Sequence, residues 1–128
     1  MKKEYNVSIK ETSKELTAKE KIKLKDLSNA INLDAATQEE GKIIIDVDYY
    51  VLLAIHNEKS EERPDYENIV VVDKDGNKYN TGSASFIAAL MDILEELADA
   101  GETDCQIEVY RKESKNYKGK EFITCSIV

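Results

Sequence analysis

Apolar and polar positions alternate from Tyr5 to Lys10, with Tyr5, Val7 and Ile9 on one side, the period of a half-buried strand. Thr17-Ala18-Lys19-Glu20 has the spacing of a capping box and predicts a short helix over 17–27. A strand competes for the same residues, because Ile22 and Leu24 alternate with Lys21, Lys23 and Lys25; the cap favours helix. Ala30 to Leu33 reads as a short strand. Residues 34–42, Asp-Ala-Ala-Thr-Gln-Glu-Glu-Gly and then a lysine, read as a loop and as the boundary between an N-terminal extension, 1–41, and a core, 42–128, of one domain.

The pattern sharpens after residue 42. Lys42 to His56 is rich in β-branched and aromatic residues, with a bend at Asp46-Val47-Asp48. Residues 57–66 form a charged loop around Arg63-Pro64. Glu67 to Asp73 is a strand, Asp73-Lys74-Asp75-Gly76 a hairpin turn, and Asn77 to Thr81 the return strand. Ser83 or Ser85 caps a helix whose apolar stripe is Phe86, Leu90, Ile93, Leu94 and Leu97, and Gly101 ends it. Asp104–Lys112 and Lys120–Ile127 are the last two strands, around a turn-rich loop at 113–119. Three strands, a helix and two strands predict a mainly β (α+β) fold. The order is that of an OB-like five-stranded antiparallel barrel with a helix between strands 3 and 4, here carrying an N-terminal extension.

Charge and composition narrow the function classes. The chain has 128 residues, enough for one core, and a net charge of −8. The charge is unevenly placed. Residues 1–25 carry eight lysines against four glutamates, residues 34–76 twelve acids against four bases, residues 83–104 six acids and no base, and residues 107–128 five bases against three acids. The net acidity argues against indiscriminate duplex binding, and basic ends around an acidic middle point to a localised binding face. No apolar run approaches the roughly 20 residues of a membrane helix, and no signal-peptide core follows the start, so a cytoplasmic protein without membrane contact is expected. One histidine and two cysteines supply neither a zinc set nor a nucleophilic triad. No cofactor, metal or enzymatic activity is expected.

Period 2 places Cys105, Ile107, Val109, Ile123, Cys125 and Ile127 on the core face of the last hairpin. Glu108, Tyr110 and Lys112 then face outward against Lys120, Phe122 and Thr124. Aromatic rings among lysines suit single-stranded nucleic acid: bases stack on rings and ammonium groups follow phosphates. The connecting loop adds Lys115, Tyr117 and Lys118. Two readings of the aromatic pair stand, a binding surface or packing under the N-terminal extension. Cys105 and Cys125, on neighbouring strands and able to face each other, are expected as buried reduced thiols. His56 reads as structural. Asp46 and Asp48 read as a bend beside an acidic surface. Tyr79 to Ser83 fits a phosphate cradle and a helix cap equally well.

Asp75 to Phe86 and Ser114 to Cys125 resemble segments of small single-stranded-DNA-binding proteins of phages and mobile elements of Gram-positive bacteria. The resemblance implies an OB-like replication protein that coats displaced single strands in the host cytoplasm. The implied contacts are Tyr79, Tyr110, Tyr117 and Phe122, with Lys78, Arg111, Lys112, Lys115, Lys118 and Lys120. It also implies replication proteins as partners, although the sequence closes on Ile127-Val128 without the acidic tail bacterial strand binders use. A homo-oligomer through terminal strands is compatible with the pattern. The alternative function is an acidic phage protein that mimics nucleic acid and inhibits a host nuclease or defence factor.

Overall fold

The computed structural model describes residues 5–57, 65–102, 104–114 and 120–128. In chain order the elements are β1 (Tyr5–Thr12), α1 (Ala18–Lys25), β2 (Ile31–Asn32), α2 (Leu33–Glu40), β3 (Lys42–Asn57), β4 (Asp65–Asp73), β5 (Lys78–Thr81), α3 (Ala84–Asp99), β6 (Cys105–Glu113) and β7 (Glu121–Ile127).

Local chemistry explains the element ends. Thr17 and Glu20 form the capping box of α1: the Glu20 amide donates to Thr17 Oγ1 at 3.2 Å and the Thr17 amide to Glu20 Oε1 at 3.1 Å. Asp73 closes the β4–β5 turn by accepting from the amides of Asp75 and Asn77 at 3.0 and 2.8 Å, while Gly76 takes φ 89°. Ser83 caps α3. Past its other end, Glu102 donates to the Leu97 carbonyl and Gly101, at φ 72°, to that of Ala98, the paired bonds of a Schellman motif.

The loop expected at 34–42 is instead the helix α2. Asn32 Oδ1 caps it at the Ala35 amide, 3.0 Å away, and Gly41 ends it. Leu33 and Thr37, one turn apart, are its buried contacts. One large apolar residue leaves no stripe for periodicity to detect, yet it suffices once β2 pairs with β5 and brings Leu33 into the core.

The β-strands form one curled, open sheet of seven strands in the order β2-β5-β4-β3-β6-β7, with β1 also on β3. This mainly β architecture with three helices is consistent with an OB-like fold, though open rather than closed. The β2–β5 pair is parallel, so the sheet is not wholly antiparallel. Long β3 is shared along one edge: Lys42–Val47 pairs with β6 and Val51–Asn57 with β1. The bend expected at Asp46–Asp48 is an irregularity in the β3–β4 ladder between Val47 and Tyr49. It shifts the alternation, so 45 and 47 share a side with 50 and 52.

That side carries the larger core, where Phe86 and Leu90 of α3 and Leu33 of α2 meet Ile45, Leu52, Ile69, Ile107 and Ile123. On the other side Leu16 and Leu24 pack over Val51, Leu53, Ile55, Val70 and Val72, with Val7 and Ile9 beside them. Cys105 and Cys125 are free and buried, but register places Cys125 opposite Val109 and Cys105 opposite Val47, so they do not face each other across the β6–β7 ladder. Burial pushes the Cys125 thiol up to about 12. None of the described helices is long and apolar enough to cross a membrane.

Candidate nucleic-acid interface

The N-terminal segment covers only part of the second side of the sheet. Its buried residues lie over the β3–β4 half, and neither Tyr110 nor Phe122 belongs to either core cluster. Among the described residues, none packs over the β6–β7 end of the same side.

Register sets the rows on this open face. Lys42, Tyr110 and Thr124 stand side by side; Ile44, Glu108 and Ser126 form the next row; Lys112 stands opposite Phe122. Paired side chains lie roughly 5 Å apart at Cβ and diagonal ones roughly 7–8 Å, which puts Tyr110 and Phe122 within reach of one chain crossing the strands. Both rings are half-buried. Tyr110 is aimed along the face by a 2.9 Å hydrogen bond between its hydroxyl and Ser126 Oγ. Ile44 is 52% exposed and widens the apolar strip. Lys112 is exposed, and Lys120 immediately precedes β7, its carbonyl accepting from the Ser114 amide at 2.9 Å. Lys42 reaches Glu108 at 2.7 Å.

Other sequence-derived candidates lie elsewhere. Lys78 is half-buried on β5, and its Nζ donates to the Lys23 carbonyl at 3.3 Å, beneath α1. Tyr79 points to the opposite side, packed against the larger core, with its hydroxyl 3.5 Å from Asp73 Oδ2. Burial first, then the nearby Asp73 charge, raises the pKa of that phenol. Arg111 is opposite Ile123 on the core side; its Nη2 donates to the Asp34 carbonyl at 3.0 Å, tying β6 to α2. Its Nε is buried without a hydrogen-bond partner. Lys115, Tyr117 and Lys118 lie outside the described residues.

The cradle at Tyr79–Ser83 resolves into a cap. Thr81, fully buried, donates to Asp34 Oδ2 at 2.8 Å and accepts from the Ser83 amide at 3.1 Å. Ser83 Oγ takes the Phe86 amide, and Ser85 Oγ donates to the Ile123 carbonyl at 2.8 Å. His56 Nδ1 lies 2.6 Å from Asp65 Oδ1. No cluster of three metal-capable side chains occurs among the described residues.

Sequence reasoning missed two things. Lys42 and Ile44 join the aromatic face only through the β3–β6 register, hidden inside the run Ile43-Ile44-Ile45. Lys14 also places its ammonium 4.8 Å from the centre of the Tyr49 ring, on the same side of the sheet.

The comparisons with known proteins speak to the whole chain. No curated protein and no solved structure matches it. The model of the family described as phage single-stranded DNA-binding protein, phi29 type, matches residues 3–128, nearly the full length. The chain therefore belongs to this family of phage proteins that bind single-stranded DNA.

Proposed function

We propose that the chain holds single-stranded DNA on the open face of β3, β6 and β7, with little sequence preference and no chemical step. Bases stack on Tyr110 and Phe122, and on Tyr117 of the connecting loop. Lys112, Lys115, Lys118 and Lys120 follow the phosphates. Lys78, held beneath α1 and cut off from this face by the covered β3–β4 half, acts with Tyr79 and Arg111 through the scaffold they brace. The observation that carries the reading is the cross-strand ladder of rings and lysines that, among the described residues, stays outside both core clusters. Any π-face suits a base, so stacking tolerates every sequence.

The order β3, β4, β5, α3, β6, β7 supports an OB-like core from residue 42 onward, with the described part of the N-terminal extension packed on it in one domain. Such a protein coats displaced strands during phage DNA replication in the host cytoplasm, beside the replication proteins that expose them. The net charge of −8 is compatible with this because most acids lie in residues 34–76 and 83–104, and Glu108, on the face itself, is paired with Lys42.

The test is a titration of a fluorescent oligonucleotide, single-stranded or duplex, at several salt concentrations. The single strand is expected to bind preferentially. Four lysine–phosphate contacts give a log–log salt slope of about −3. Equal binding of duplex, or none of the single strand at low salt, would overturn the proposal.

A further inference from the structure

α3 presents an acidic side that DNA binding does not use. Beside it, where β1 and β6 part along the edge of β3, lies a groove of about 780 Å³. Its floor is apolar: Val47, Met91, Leu94 and Leu97, with Cys105 beneath. Glu11, Asp48, Glu95 and Glu102 rim it. Glu11 accepts from the Tyr50 hydroxyl at 2.7 Å, but Asp48, Glu95 and Glu102 have no ion-pair partner among the described residues.

The chain carries a surface of the complementary kind. α1 shows Ile22 to solvent at 70% exposure, the most exposed large hydrophobic side chain among the described residues, between Lys19, Lys21, Lys23 and Lys25. Lys19, Lys21 and Lys25 likewise have no ion-pair partner among the described residues. Leu24 anchors this helix on the opposite side of the sheet, so it reaches a groove only on another molecule.

We infer that α1 of one molecule docks into the acidic groove beside α3 of a second copy, with Ile22 on the apolar floor and the lysines on the carboxylate rim. The two surfaces are unlike, so the contact is head-to-tail and repeats along a row of molecules. It leaves the Tyr110–Phe122 face free. Neighbours so linked would bind a long single strand cooperatively; this last step rests on the proposed DNA function, whereas the contact itself does not.

The experiment is sedimentation velocity of the full-length protein without DNA, across concentration and salt. Reversible, salt-weakened self-association is expected, and Ile22→Asp should weaken it by about tenfold. Two charge-reversed variants make the test specific: Lys21→Glu with Lys25→Glu, and Glu95→Lys with Glu102→Lys. Each alone should remain monomeric; mixed, they should associate, because the acidic helix of one meets the basic groove of the other. Both should bind a short oligonucleotide like the parent protein, which separates failure of this contact from failure of the DNA proposal. A parent protein monomeric at every concentration, variants that self-associate as the parent does, or a mixture that stays monomeric would each overturn the inference.

Discussion

The two ends of the sheet are built on different rules. At the β3–β4 centre the strands are buried on both sides: Val51, Leu53 and Val70 face the N-terminal segment, and Leu52, Ile69 and Val71 face the helices. At the β6–β7 end only one side is buried. Cys105, Ile107, Val109, Ile123 and Cys125 turn inward, while Tyr110, Lys112, Phe122 and Thr124 remain on the other side. The first pattern makes a scaffold, and the second leaves the surface on which the proposed DNA contact rests. The N-terminal segment makes the difference, because it covers one half of the second side and stops.

Truncations should separate the two ends. Leu53→Ala, in the fully buried centre, is expected to cost about 2–5 kcal/mol of stability, read by urea unfolding. Phe122→Ala should cost far less in the same assay. A smaller loss is expected from Arg111→Ala, about 1.5–3 kcal/mol, because the charged tie to the Asp34 carbonyl disappears. The same substitution should lower DNA affinity less than Lys112→Ala does, in the same oligonucleotide titration.

The smallest effect is on pH dependence. The Cys125 thiol, ordinarily near 9.0, and the Tyr50 phenol, ordinarily near 10.0, are both pushed up to about 12, chiefly by burial. Each is an acid that stays protonated in the fold and ionises first in the unfolded chain. Their contribution to stability is therefore intact below pH 9 and declines as pH rises from there towards 12. Urea midpoints at pH 8 and pH 10 should fall in that order, and Cys125→Ser should flatten part of the fall.

The same contrast explains what could be read from the sequence. Continuous apolar runs at 51–53 and 69–72 announce strands buried on both sides, and alternation at 105–112 and 121–127 announces a one-sided hairpin. The Asp73–Gly76 turn and the α3 stripe were equally legible, because each depends on neighbours in sequence. α2 was not, since Leu33 is its single large apolar residue. Pairing register was not either: it decides that Lys42 joins Tyr110 and that Cys105 misses Cys125. Arg111 is instructive, because its odd position already placed it on the core side, against its resemblance-based assignment as a DNA contact.

Binding of a single-stranded oligonucleotide to the protein carrying both Tyr110→Ala and Phe122→Ala tests the central claim most directly. Fluorescence anisotropy against the parent protein, with the urea midpoint measured alongside, reads both affinity and fold. Loss of two stacking platforms predicts an affinity lower by about 2–6 kcal/mol, with the salt slope and the fold retained. Unchanged affinity in a folded double variant would contradict the account and move the DNA to another surface.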